Sequence, residues 1–123
     1  MTPKSTVLIV DDEFGVRESF RILLKSSYEI CTARDGEEAL KVFKERKIDL
    51  ITLDLNMPKL SGIETLREIR KIDSEVPVII IPGYGTQKDE EEALHYGVTD
   101  FISKPFNTSK MISLINRILG ERI

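Results

Sequence analysis

With one cysteine, Cys31, in 123 residues, the chain has nothing for an internal disulfide to join, which fits a reducing compartment. No apolar run approaches the roughly 20 residues that a membrane-spanning helix needs. The polar start Met1-Thr2-Pro3-Lys4-Ser5-Thr6 has no secretory-leader core behind it. Positive charge is not in excess: the formal net charge is -3, so there is no basic footprint for nucleic acid or an anionic membrane. Internal repeats and low-complexity segments are also lacking. These absences imply one domain spanning residues 1–123, cytoplasmic or the cytoplasmic part of something larger, with no output domain within these residues and enough chain for a sizeable core.

What is present is an alternation of short apolar runs and amphipathic segments. Val7–Val10, Tyr28–Ala33, Ile48–Leu53, Val76–Ile81 and Thr99–Ile102 read as strands, the second as an edge strand because it carries Glu29. Between and after them lie five helical patterns. Val16, Phe20, Leu23 and Leu24 form the inner face of the first, and Ala39, Leu40 and Phe43 that of the second. Ile63, Leu66 and Ile69 serve the third, while Met111, Leu114, Ile115, Ile118 and Leu119 serve the last. Asp35–Glu38 and Ser61–Glu64 carry a cap followed by a glutamate three residues on, and Thr86 caps an acidic segment that ends at Gly97. Five strand–helix alternations predict an α/β domain, a doubly wound parallel sheet with helices on both faces.

In such a sheet the carboxyl ends of the strands gather on one edge, where ligands are handled. The first strand brings Asp11 and Asp12 there, the third Asp54, the fourth Pro82-Gly83 and the fifth Lys104. Packing does not require an aspartate at the end of Leu50–Leu53. If the first and third strands are neighbours, about 4.8 Å apart, three carboxylates share a small space and need cations. Lys104 supplies one, and a hard divalent ion such as magnesium supplies the balance while keeping coordination positions open for phosphoryl oxygens. The chemistry inferred is phosphoryl transfer onto an aspartate, with the Gly83 N–H as a further donor to the phosphate.

Four pieces in this order are specific together: Val10-Asp11-Asp12-Glu13, Asp54-Leu55-Asn56-Met57-Pro58 with Gly62, Gly83-Tyr84-Gly85-Thr86, and Lys104-Pro105-Phe106. On them the chain resembles, over essentially its whole length, the response-regulator receiver domains of two-component signalling. A chemotaxis relative in that family has the flavodoxin-like strand order 2-1-3-4-5. The resemblance implies that Asp54 is the phosphoacceptor, and that Asp12 and Asp54 ligate Mg2+ or Mn2+ directly. It implies that Asp11 acts through water, that Asn56 offers its backbone carbonyl, and that Lys104 pairs with the phosphoryl group. Implied partners are a sensor histidine kinase or histidine phosphotransfer protein, with acetyl phosphate as a small donor. A homodimer through the last two helices and the fifth strand is also implied. Such a module catalyses only its own phosphorylation and dephosphorylation.

One position departs from the family pattern. Receivers usually carry Thr or Ser after the fourth strand, where this chain has Pro82, which lacks both a hydroxyl and an N–H. The aromatic switch partner is present as Phe101. Phosphorylation is therefore expected to survive, with its conformational readout weakened or rewired. A pseudo-receiver is the competing reading, and the retained Asp11, Asp12, Asp54 and Lys104 speak against it. A flavodoxin-like cofactor protein is disfavoured because Asp11-Asp12-Glu13 stands where a phosphate-cradling loop belongs. Phe14 reads equally as a partner contact or as core. Cys31 reads as a small semi-buried residue, His95 as a surface residue outside phosphotransfer, and Glu90-Glu91-Glu92 as a solvated helix face.

Overall fold

The computed structural model describes residues 4–57, 59–83, 87–103 and 107–120. Strands β1 (Thr6–Val10), β2 (Glu29–Ala33), β3 (Leu50–Asp54), β4 (Val78–Ile81) and β5 (Asp100–Phe101) alternate with five helices. These are α1 (Phe14–Leu24), α2 (Gly36–Glu45), α3 (Gly62–Ile72), α4 (Gln87–His95) and α5 (Thr108–Gly120). All neighbouring strands are parallel, in the order β2-β1-β3-β4-β5. The flavodoxin-like arrangement expected from the sequence is the one observed.

Each central strand is buried on both faces, which is why it reads as an unbroken apolar run. Alternate residues serve opposite layers. Leu8, Val10, Ile51, Leu53, Val78 and Ile80 meet Ala39, Phe43, Ile63, Leu66, Ile69 and Ala93 on the side of α2, α3 and α4. Val7, Ile9, Leu50, Ile79 and Ile81 meet Phe20, Leu24 and all five apolar residues assigned to α5 on the other side. Each such fully buried aliphatic side chain contributes about 1.5–3 kcal/mol.

Helix starts follow local chemistry. The Asp35 carboxylate accepts the Glu38 N–H at 2.9 Å, and the Glu38 carboxylate reaches back to the Arg34 N–H at 3.2 Å. The Ser61 hydroxyl accepts the Glu64 N–H at 3.2 Å. Gly97, at φ +69°, closes the turn after α4. Two apolar assignments need correction. Leu23 is 41% exposed, because α1 packs along Phe20 and Leu24 and its outer flank is uncovered. Cys31 is buried although Glu29, two residues earlier on the same strand face, is exposed; β2 dives under α2 only from Cys31 onward.

Candidate functional site

Pairing of β1 with β3 places Val10 opposite Leu53, so the next residues of the two strands, Asp11 and Asp54, emerge side by side. Asp11 is fully buried. Its N–H donates to the Ala33 carbonyl at 3.1 Å, and its Oδ1 accepts the Glu13 N–H at 2.9 Å, turning the chain into α1. Asp54 is 3% exposed, and its Oδ1 accepts the Asn56 N–H at 2.9 Å in the matching turn after β3. The Leu55 N–H bonds the Ile81 carbonyl at 3.0 Å, keeping that turn in register with β4. Asp12 is exposed at the rim, and carboxylate oxygens of Asp11, Asp12 and Asp54 all lie within 4.8 Å of one another. At that separation the buried pair Asp11–Asp54 repels by about 3 kcal/mol at an effective dielectric of 20.

Asp12 and Asp54 open onto a cleft of about 510 Å³ at the carboxyl edge of the sheet, with Asp11 buried behind them. Asn56, Pro82 and Gly83 form one wall, and Glu13, Glu90 and Ser103 complete the border. Two glycines let this edge close up. A Cβ on Gly62 would sit 2.6 Å from the Asp54 carbonyl oxygen, so α3 begins directly beneath the acidic strand end. A Cβ on Gly83 would come within 2.6 Å of Asn56 Cβ and 2.9 Å of its Nδ2, so the asparagine side chain lies against bare backbone.

Among the described residues no lysine or arginine lines the cleft. Among the described residues the candidate metal ligands gathered there are three carboxylates, a hard oxygen set suited to a magnesium-like or manganese-like divalent cation rather than to zinc or copper. The acidic pocket could hold such a metal ion.

Of the residues singled out in the sequence, Asp11, Asp12 and Asp54 lie together, and Asp12, Asp54, Asn56, Pro82 and Gly83 border one cleft. Phe101 is half-buried on β5 and packs against the α2–α4 core layer. Lys104, with Pro105 and Phe106, lies outside the described residues, as do Pro58 and the Tyr84–Thr86 segment. The glutamate run is not uniformly solvated. Glu91 is exposed, but Glu92 pairs with Arg67 at 3.0 Å and Glu90 borders the acidic cleft. Sequence reasoning missed Glu90 because only the phase of α4 turns it toward the site. Ser103 had a readable signal, its place two residues past the end of β5. Phe14 is 69% exposed, which settles its choice between core and surface.

Comparison with known proteins gives a consistent picture. Residues 7–116 match the family model of the response regulator receiver domain. The chain is 39% identical over 114 residues to the chemotaxis protein CheY of Thermotoga maritima, covering 91% of this chain and 95% of that protein. It is 40% identical over 117 residues to the probable transcriptional regulator ycf27 of Guillardia theta, covering 94% of this chain and 46% of that longer one. The structure of a CheY-like receiver domain protein from Methanospirillum hungatei superposes with a TM-score of 0.91 at 26% identity. That match covers 96% of this chain and 95% of the other.

Proposed function

The chain belongs to the response regulator receiver domains of two-component systems, and we propose that it accepts a phosphoryl group on Asp54 from a phosphohistidine. The observation that carries this reading is the convergence of the Asp11, Asp12 and Asp54 carboxylates within 4.8 Å at the carboxyl edge. A structural role does not account for three such groups at the ends of two buried strands.

In the proposed reaction a carboxylate oxygen of Asp54 attacks the phosphorus of the donor. The P–N bond breaks, its electron pair leaves with the imidazole, and an acyl phosphate remains on Asp54. The Asp54 Oδ1 is already oriented by the Asn56 N–H, which fixes the carboxylate relative to an incoming donor. Asp12, Asp54, the Asn56 carbonyl and, through water, Asp11 would hold Mg2+ or Mn2+. That ion would neutralise charge on the equatorial phosphoryl oxygens. The Gly83 N–H and Lys104 would complete the phosphoryl contacts. The donor is a sensor histidine kinase or a histidine phosphotransfer protein, with acetyl phosphate as a small substitute. The chain acts as a cytoplasmic signalling module, not as an enzyme on other substrates. Its output or dimer surface would be α4, β5 and α5. Among the described residues no helix is long and apolar enough to cross a membrane.

Intact mass after incubation with magnesium and acetyl phosphate tests the proposal. One added phosphoryl group is expected, absent without magnesium and absent in Asp54→Ala. No adduct under conditions that phosphorylate an ordinary receiver would favour a phosphorylation-independent interaction module instead.

A further inference from the structure

Asp12 is the one member of the acidic triad with no anchor of its own. It is exposed, and its carboxylate makes no hydrogen bond or ion pair among the described residues. Its direction is therefore set by the peptide that carries it, the one between Asp11 and Asp12. The Asp11 side of that peptide is tied on three sides. The Asp11 N–H bonds Ala33 at the end of β2, its Oδ1 takes the Glu13 N–H, and its carbonyl accepts Arg17 Nη1 at 2.8 Å. Arg17 is itself built in: its N–H bonds the Glu13 carbonyl at 3.1 Å in the first turn of α1. Its guanidinium carbon lies 5.7 Å from the centre of the Phe14 ring. An exposed phenylalanine at the start of a surface helix thus serves as a platform that holds the guanidinium toward the acidic loop.

We infer that Arg17 is a positioning residue that fixes the Asp11–Asp12 peptide and so aims the Asp12 carboxylate at a divalent cation. This rests on the metal-site reading above. Arg17 does not border the cleft, so it acts through Asp11 rather than on the ion or the donor. Its two effects on cation affinity have opposite signs. Ordering the peptide strengthens binding, as outer hydrogen-bond partners of metal ligands generally do, whereas its positive charge opposes a cation. Lysine keeps the charge but stops about one bond short of the guanidinium nitrogens and lacks their planar fork. Methionine removes the bond and the charge together.

The test is a Mg2+ titration of the whole chain, followed through the amide NMR signals of Asp12, Glu13 and Asn56. Arg17→Lys should bind about tenfold more weakly than the unaltered chain. Arg17→Met should also bind more weakly, but by less than the lysine variant, since the lost charge offsets part of the lost order. Loss of general stability does not produce that ranking. A lysine variant within twofold of the unaltered chain, or a methionine variant that binds more tightly, overturns the inference and leaves Arg17 as a charge only. If the Arg17 variants do not give a folded spectrum, Phe14→Ala, altering an exposed ring, carries the test. A roughly threefold weakening is then expected, and unchanged affinity overturns the proposal. An unaltered chain whose amides do not respond to Mg2+ removes the metal site itself and this inference with it.

Discussion

Pro82 borders the acidic cleft directly after β4, where it presents a pyrrolidine ring and no hydrogen-bond donor. A hydrogen bond to a charged group is worth about 1.5–3 kcal/mol, enough to decide which of two conformations dominates. Restoring a hydroxyl with Pro82→Thr should therefore leave the phosphorylation yield unchanged. It should also enlarge the phosphorylation-dependent amide shifts around Gly83 and Phe101. Equal shifts in the two proteins would show that the position does not limit the response. The residues of the site differed in how visible they were from sequence. Asp11, Asp12 and Asp54 stood out because a carboxylate ending an apolar run has no packing reason to be there. Arg17 did not, because its acceptor is a backbone carbonyl, which leaves no mark in the sequence.

Two arginines one turn apart on α3 grip the far end of α4. Arg67 donates to the Tyr96 hydroxyl and to Glu92, each at 3.0 Å. Arg70 donates to the carbonyls of Tyr96 at 2.6 Å, Val76 at 2.8 Å and Gly97 at 3.3 Å. Burial pushes the Arg70 guanidinium pKa below its usual value, and its charge is spent on the helix end and the α3–β4 turn. Helix α4 buries only Ala93, so these polar contacts carry much of its attachment. Arg70→Met should cost about 2–3 kcal/mol in urea unfolding, since several carbonyls lose a charged donor at once. Amide exchange at Tyr96 and Gly97 should accelerate more than exchange in β1 or β3. A uniform acceleration would mean that the clamp serves the whole fold and not α4. Helix identity was legible from apolar spacing in α5, where all five assigned residues are buried. It was less so in α1, since periodicity marks a stripe and not its width, and Leu23 lies on the uncovered flank. Strand ends shifted for a similar reason. The Asp49 carboxylate accepts the Thr6 N–H at 2.8 Å, so the β1–β3 ladder proper begins at Val7 and Leu50.

Across the whole molecule, charge on the described residues is dispersed in short surface pairs such as Lys71–Glu68 and Arg34–Glu38, whereas carboxylates gather at the carboxyl edge of the sheet. The order β2-β1-β3-β4-β5 concentrates carboxylates there, because it makes the two acidic strand ends neighbours. On the proposed function, stability and function would therefore oppose each other at that edge. The Asp11 and Asp54 carboxylates repel one another, and a divalent cation held there as proposed would relieve that repulsion. Two measurements follow from that opposition. At a Mg2+ concentration ten times its dissociation constant, linkage adds about 1.4 kcal/mol, and the melting temperature should rise by roughly 5 °C over a chelator-treated sample. Asp54→Asn keeps an oxygen for the Asn56 N–H but removes one of the two buried charges. Without metal it should melt above the unaltered chain, and with Mg2+ it should gain little, so the two proteins converge as magnesium is added. A variant that melts lower than the unaltered chain in chelator would show that other contacts of Asp54 outweigh the repulsion. The acidic edge would then stabilise the fold in its own right, and the opposition between stability and metal binding would not hold there.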